Sequence, residues 1–428
     1  MVTESTDNMD VLLIGSGGRE HALAWGLARS PKLKKLFIAP GNAGTAQLGE
    51  NVPISAENFS ELVGFAQREK IDLTIVGPEA PIVAGIRDAF ERENLKIVAP
   101  TQRASFLEGS KAQAKAFMHN HGIPTAHFGS FADFTQAVAF ARTWKPPFVI
   151  KADGLAAGKG VSIAPTHSEA EQILHDFMIG GRFGVASQRV VIEEFLAGRE
   201  FSLFVASDGK SWKALGTAQD YKRLLDGDQG PNTGGMGSIS PVPWLTEAMI
   251  EETIKRIVEP TFAGLKKENL SYEGILYFGL IWTAQGPYVI EYNVRFGDPE
   301  TQVLVPRFDC DLLELYLAIV ERKLDSFTVR LKPIAAVCVT LASAGYPERY
   351  EKDFSIEGLE QLQTEPHVVV FHAGTTLKDR AVVTSGGRVL NVVGLGQSIS
   401  EAHTRAYAAI KKIRFQGMHY RRDIGFVQ

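Results

Sequence analysis

At 428 residues, 45% of them hydrophobic, the chain can bury several cores, and its length predicts roughly two to four domains. A formal charge of −4 argues against nucleic acid or an acidic membrane surface as the main partner, and two cysteines, Cys310 and Cys338, make neither a disulfide framework nor a zinc cluster. The polar, acidic opening MVTESTDNM lacks the basic start and apolar run of a secretory signal, and no apolar stretch of about 18 residues could span a bilayer, so a reducing, cytoplasmic setting is expected.

Residues 10–15 begin as an apolar strand that runs into Ser16-Gly17-Gly18-Arg19-Glu20 and a helix reaching about Arg29. Strands over Leu36–Ala39 and Ile71–Val76 end in the loops Pro40-Gly41-Asn42-Ala43-Gly44 and Gly77-Pro78-Glu79-Ala80-Pro81, and alternate with helices over Phe59–Arg68 and Ile82–Glu93. That alternation predicts a parallel sheet covered on both faces, with ligands beyond the carboxyl ends of its strands. A dinucleotide fingerprint fails twice: Glu20 stands where Gly or Ala is needed, and no Asp or Glu occurs from His21 to Gly49 to take a ribose. A single phosphate on the Gly17 and Gly18 N–H groups, with Arg19 nearby, would give those glycines a purpose; a purely structural turn is the alternative.

A second domain is expected from Leu107, where Ser110 can cap a helix carrying Lys111 and Lys115 that Gly122 and Pro124 close. After a helix over Asp133–Thr143, the strand Phe148-Val149-Ile150 delivers Lys151 and a loop with Gly154, Gly158 and Gly160 around Lys159. Glycines bring backbone N–H groups close to an anion and each lysine adds a compact charge, so the loop suits phosphates, although its spacing is not that of a Walker loop. A helix over Ser168–Met178 precedes the strand VVIEEFL at 190–196, which sets Glu193 and Glu194 in an apolar run. Either this is an edge strand with solvated acids, or the acids are paired beside an adenine hinge. There, backbone groups of Glu194, Phe195 and Leu196 would bond the base and Glu200 the ribose hydroxyls.

Strands over Glu200–Ala206 and Trp212–Gln219 lead to Asp220-Tyr221-Lys222-Arg223 and a glycine- and proline-rich run, Leu224–Pro243, that reads as a mobile loop and a possible lid. The helix Thr246–Asn269, apolar along one face, reads as scaffold. A hairpin of Glu273–Thr283 and Pro287–Arg295 places Glu291, Asn293 and Arg295 on one face and Ile290, Tyr292 and Val294 on the other. Two hard oxygen donors beside a cation suit magnesium bridging nucleotide phosphates, and a solvated polar face is the alternative. Phe296-Gly297-Asp298-Pro299-Glu300-Thr301 is a charged turn opening a helix, and the helix Asp311–Arg322 closes the domain before a linker at Leu324–Lys332. Four strands (Ile334–Leu341, Val368–Phe371, Ala381–Thr384, Val389–Gly394) and a helix, Ser400–Ile413, then predict a small α+β unit. Its basic residues Lys411, Lys412, Arg414, Arg421 and Arg422 read as a solvated face.

Six segments are specific when taken together: GREHALA at 18–24, APGNAGT at 39–45, VGPEAP at 76–81, IKADGLAAGKGV at 150–161, GPNTGGMGS at 230–238 and RFGDPETQ at 295–302. Through them the chain resembles the glycinamide ribonucleotide synthetases of the ATP-grasp superfamily from about Val11 to Gly425. The resemblance implies an α/β and α+β multidomain fold. Its parts would be a Rossmann-like, pre-ATP-grasp parallel-sheet domain (1–106), an ATP-grasp domain (107–325, with a lid subdomain at about 123–195) and a small C-terminal α+β domain (326–428). The activity implied is ATP-dependent ligation of glycine to 5-phosphoribosylamine in purine biosynthesis, through glycyl phosphate, giving glycinamide ribonucleotide, ADP and phosphate. The implied protein is a cytoplasmic monomer or weak homo-oligomer that works on small molecules without nucleic acid or membrane.

Residue by residue, the resemblance puts ATP against Lys111, Lys151, Gly158, Lys159, Glu193, Glu194, Phe195, Leu196 and Glu200, and Mg2+ or Mn2+ on Glu291 and Asn293. It puts the ribosylamine phosphate near Gly17, Gly18 and Asn42. Asp220, Lys222, Arg223, Arg295 and Asp298 would face glycine and the amine, with Lys151, Arg295 and Asp220 catalytic. Two departures stand out. The family's DHKR is Asp220-Tyr221-Lys222-Arg223 here, and its paired acids after the hinge are Arg199-Glu200, which leaves Glu200 alone for the ribose.

Overall fold

The computed structural model describes residues 8–156 and 160–426. Five short strands open the chain: β1 (Met9–Gly15), β2 (Leu33–Pro40), β3 (Glu50–Asn51), β4 (Leu73–Val76) and β5 (Ile97–Val98). They pair in parallel in the order β3-β2-β1-β4-β5, as the alternation of strands and helices predicts. Helices α1 (Gly18–Leu27) and α2 (Phe59–Arg68) belong to this unit. The single helix expected over Ile82–Glu93 is two, α3 (Glu79–Val83) and α4 (Ile86–Arg92), because Gly85 turns between them with φ +90°.

After α5 (Phe106–Gly109), α6 (Lys111–Asn120) starts at Ser110, whose hydroxyl accepts from the Gln113 N–H, and Gly122 turns the chain out with φ +65°. Residues 128–194 then build a separate antiparallel sheet from β6 (Phe128–Phe131), β7 (Phe148–Ala152), β8 (Val161–Ala164) and β9 (Val190–Glu194), ordered β6-β9-β7-β8 and packed on α7 (Phe134–Thr143) and α8 (His167–Met178). β9 is therefore an inner strand, and the edge-strand alternative for Glu193 falls.

The largest sheet is antiparallel and runs through two regions of sequence. It uses β10 (Arg199–Asp208), β11 (Trp212–Asp220) and, beyond the small hairpin β12 (Arg223–Leu225) and β13 (Gln229–Asn232), β14 (Gly237–Ser240). β15 (Glu273–Thr283) and β16 (Gly286–Asn293) follow; β17 (Ala335–Ala342), β18 (Val368–His372) and, after the hairpin β19 (Thr375–Lys378) and β20 (Ala381–Thr384), β21 (Arg388–Gly396) come from the C-terminal part. Their order is β16-β15-β10-β11-β14-β17-β21-β18.

Two expectations change here. The run Leu224–Pro243 is not one mobile loop: Gly237–Ser240 is buried strand between β11 and β17, and a Cβ at Gly237 would lie 2.5 Å from the Cys338 carbonyl oxygen. Glycine serves close strand approach there. The C-terminal strands also do not stand apart, since β14 pairs with β17 and carries the sheet into them.

The helix expected over Thr246–Asn269 runs from Glu247 to Lys267 but widens to a π turn at Ile254–Val258. Pro260 has no N–H to give the carbonyl four residues back, so the ladder loosens just before it. Cores are shared across units: Leu12, Ile14 and Phe90 pack in one cluster with Phe201, Phe278 and Tyr292.

Candidate functional site

A cleft of about 870 Å³ lies where these units meet. Its floor is built by β16. The register of β15 against β16 slips at Gly279/Leu280, so Ile290 bulges and turns its carbonyl to the Lys151 Nζ, 3.1 Å away. Beyond the bulge the alternation holds: Tyr292 and Val294 are buried while Glu291, Asn293 and Arg295 face the cleft. Ile290, expected on the opposite face, joins the lining because of that slip.

Glu193 explains its own burial. It is 3% exposed and held between two lysines, Lys115 (2.8 Å) and Lys151 (3.0 Å). Burial raises its carboxyl, but the two ammonium groups outweigh burial and leave it below the usual range. Lys115 donates to Thr125 Oγ1 (2.7 Å) as well, and burial holds its pKa down to about 8. Lys151 therefore donates to the Ile290 carbonyl and is held by the Glu193 charge, with N–H groups left for a ligand oxygen. Lys111 donates to the Gly154 carbonyl at the mouth of the glycine loop (3.1 Å). Gly158 and Lys159, the other expected phosphate contacts, lie outside the described residues.

Along the hinge, Glu194 is already engaged. Its N–H donates to the His127 carbonyl and its side chain accepts from the His127 N–H, both at 3.0 Å, while the backbone of Phe195 and Leu196 makes no hydrogen bond with the other described residues. Glu200 lines the cleft nearby and pairs with Lys222 (3.2 Å).

Arg295 is the hub of the opposite wall. Nε donates to Glu79 (3.1 Å), and Nη2 to Glu108 (3.0 Å) and to Asn293 Oδ1 (3.1 Å). Burial pushes the Glu108 carboxyl up to about 7, whereas Arg295 takes Glu79 down to about 2. The Glu291 carboxylate accepts no hydrogen bond from the described residues. Burial acts to raise its carboxyl, yet Lys222, Lys151, Lys111 and Arg295 keep it low. A charged carboxylate and an amide oxygen on one strand face, surrounded by cations that would hold phosphates, fit the donor set of a magnesium ion that keeps water and phosphate as its other ligands. Among the described residues, no group of three or more His, Cys, Asp or Glu converges as a metal cage.

At the far end stand Asp220, Lys222, Arg223 and Asp298, all lining the cleft. Burial pushes the Asp220 carboxyl up against the pull of Lys222, 3.8 Å away. Arg223 donates to the Gly230 carbonyl (2.8 Å), and Asp298 accepts from the Arg19 N–H (3.4 Å) and pairs with Arg388 (3.4 Å).

At the phosphate seat expected on Gly17 and Gly18, both glycines meet the protein's own side chains in this structure. The Gly17 N–H donates to Glu20 Oε2 at 2.6 Å, and the Glu20 carboxylate lies folded against Gly15, Gly17 and Gly77, so the protein's own anion fills that cradle. Gly18 packs on Asn391 and Gln302. Asn42 is spent on the Ser16 carbonyl (2.8 Å) and the His372 carbonyl (3.0 Å), and these three residues lie outside the cleft lining. Sequence reasoning missed the roles of Glu79, Glu108, Arg388 and Arg421; each pairs with a residue distant in the chain, a relation that local pattern does not carry.

Comparison with known proteins bears on this geometry. Models of phosphoribosylglycinamide synthetase match in three consecutive parts: the N domain at residues 9–108, the ATP-grasp (A) domain at 109–301 and the C domain at 336–427. The chain belongs to the phosphoribosylglycinamide synthetase family. It is 50% identical over 421 residues to the phosphoribosylamine–glycine ligase of Vibrio vulnificus (strain CMCP6), covering 98% of each chain, and 50% identical over 422 residues to that of Salmonella typhimurium, again 98% of each. The crystal structure of the phosphoribosylamine–glycine ligase of Thermotoga maritima superposes with a TM-score of 0.84 at 37% identity, over 97% of this chain and 100% of that one. A biotin carboxylase from Campylobacter jejuni shares the fold at 15% identity, with a TM-score of 0.72 over 98% and 94% of the two chains. Within this synthetase family the three-part organisation and the ATP-grasp body are thus common property. No described helix is long and apolar enough to cross a membrane.

Proposed function

We propose that the chain joins glycine to 5-phosphoribosylamine with conversion of ATP to ADP and phosphate, yielding glycinamide ribonucleotide. The observation that carries this reading is the convergence of Lys151 and its Glu193 brace with Glu291, Asn293 and Arg295 across one cleft. A carboxylate is a poor electrophile, so the γ-phosphoryl group of ATP first passes to the glycine carboxylate. The amine of the ribosylamine then attacks glycyl phosphate, and phosphate leaves. Lys111 and Lys151 receive the nucleotide phosphates, the Phe195-Leu196 backbone bonds the base and Glu200 the ribose. Arg295, fixed by Glu79 and Glu108, meets the glycine carboxylate and offsets the charge that builds as two anions are brought together. Glu291 and Asn293 would hold Mg2+ or Mn2+, which would supply positive charge to offset that of the phosphates during transfer.

Asp220, Lys222, Arg223 and Asp298 face glycine and the amine. The domain boundaries fall near residues 106 and 325, with residues 123–195 as the lid that excludes water from the acyl phosphate. The protein acts in the cytoplasm as a monomer or weak homo-oligomer. The deciding measurement is ADP release with phosphoribosylamine generated in the assay, each substrate and the divalent metal omitted in turn. ADP that requires glycine, amine and metal, with product at the mass of glycinamide ribonucleotide, is the expected result; ADP release without glycine would refute it.

A further inference from the structure

Among the described residues, Glu300 stands in the wall of the cleft without an ion-pair partner. It is 4% exposed and lines the cavity, yet the guanidinium groups at this end are engaged elsewhere: Arg295 with Glu79 and Glu108, Arg388 with Asp298. The turn that carries it is pinned. Ser238 donates from Oγ to the Pro299 carbonyl (2.7 Å), and Ser238 stands opposite Asp220 in the β11–β14 ladder, so the Pro299-Glu300 peptide is tied to the strand that presents Asp220. Gly297, lacking a Cβ, leaves the space into which the Glu300 carboxylate folds. Asp220 is scarcely better supplied, because its cation, Lys222 at 3.8 Å, lies closer to Glu200 at 3.2 Å. Two buried carboxylates thus share part of one lysine, and burying a charge without a partner is costly.

A ligand that brings one positive charge would repair this. Glycine is a zwitterion whose two charged groups are separated by a single carbon, so the carboxylate that meets Arg295 leaves its ammonium group only a short distance away. Glu300 is five residues beyond Arg295 on the same turn. We propose that Asp220 and Glu300 together seat the ammonium group of glycine, and that Glu300 is the residue that selects an α-amino acid over a plain carboxylic acid.

Burial, then the neighbouring Asp220 charge, pushes the Glu300 carboxyl up to about 7, against Lys222 and Arg295, with Tyr277, Arg388 and Cys338 also facing it. An incoming ammonium group would bring it back down. The KM for glycine is accordingly expected to rise as pH falls below about 7, where Glu300 takes a proton.

The inference rests on the ligase reading, and the experiment separates the two. Glycine-dependent ADP release by the unaltered full-length chain is measured first; its absence would defeat the ligase reading before any variant is tested. Glu300→Gln is then compared with it, varying glycine at saturating ATP and ribosylamine. The expected result is a KM for glycine raised about 10- to 100-fold, the loss of one charged hydrogen bond, with the KM for ATP within about twofold. The unaltered enzyme should also prefer glycine to glycolate as a competing ligand, and that preference should shrink in the variant. An unchanged KM for glycine, whether or not kcat falls, overturns the proposal, since a general base or a structural strut would leave glycine binding alone. If Glu300→Gln does not fold, Glu300→Asp keeps the charge but withdraws it, and an unchanged KM for glycine there overturns the proposal equally.

Discussion

His21 shows how a residue can be visible in the sequence and still have its function hidden. It sits on α1 in the GREHALA segment, where its spacing marks only a helix. The structure gives it a partner 351 residues away: the His372 N–H donates to His21 Nδ1 at 2.7 Å, and His372 Nδ1 lies 3.1 Å from Thr375 Oγ1. Burial, then His372, holds the His21 pKa down to about 3, and burial holds that of His372 at about 4, against the usual 6.5. Below pH 6.5 the unfolded chain therefore binds protons that the folded chain refuses. Stability is full above that pH and falls as pH drops, by about 1.4 kcal/mol per pH unit for each histidine, until the folded pKa values are reached. Urea titrations between about pH 7 and 5 should show the midpoint declining, and His21→Gln should make the decline shallower by about one proton. A slope left intact by that substitution would remove His21 as its cause. The charged residues of the cleft were easier to read than this clasp, since Lys151, Glu193, Glu291 and Asn293 break apolar strand patterns. Their exact partners were not, because Lys115 and the Ile290 bulge depend on packing between strands.

At the scale of elements, the C-terminal tail departs furthest from its expected role. Arg421 reads as a solvated surface charge but is 2% exposed. It donates to Asp228 (2.9 Å), to the Arg223 carbonyl (3.1 Å) and by two bonds to Asp423 (2.8 and 2.7 Å), and its guanidinium lies 5.1 Å over the Tyr221 ring. Tyr221, which stands where the family's motif has histidine, also takes the Gly425 N–H on its hydroxyl (3.2 Å). The hairpin β12–β13 is thereby fastened to residues 419–425, with the Gly227 N–H on Asp423 and the Arg422 N–H on Asp226. No sequence pattern announces such a clasp, since its halves lie almost 200 residues apart and each looks like an ordinary polar turn. Arg421→Met should cost about 1–3 kcal/mol, the lower range for a charge network, because Asp228 and Asp423 can turn to water. Hydrogen exchange at residues 223–232 should quicken, and the KM for glycine and ribosylamine should rise while ATP binding holds. Exchange unchanged in that hairpin would show that the tail does not brace it.

Across the whole molecule, the parallel sheet and the hairpin face of Glu291, Asn293 and Arg295 were legible because local period and loop chemistry specify them. The eight-stranded sheet was not, because its continuity depends on the pairing of Gly237–Ser240 with β17, a contact between distant segments in which glycine masks the strand signal. The same long-range sharing predicts how the molecule comes apart. Two core clusters mix the N-terminal strands with the large sheet, and the C-terminal cluster includes Ile239 from β14. Among the described residues, the fourth is built wholly from residues 131–192: Val138, Phe148, Leu174, Phe177 and Ile192 pack on one another with Trp144 at their margin. A unit with its own apolar core, tied to the rest by polar bonds such as Lys115–Glu193 and Lys151 to the Ile290 carbonyl, can open alone. Denaturant unfolding should therefore show two steps. Amides of residues 131–192 and the fluorescence of Trp144 should report the first, and Trp25, packed on Phe371 of the C-terminal strands, the second. Coincident transitions at Trp144 and Trp25 would contradict this division. ATP bound as proposed, against Lys151 and the hinge on one side and the metal site of Glu291 on the other, should draw the two steps together, because a ligand held by both parts stabilises the state in which they are closed.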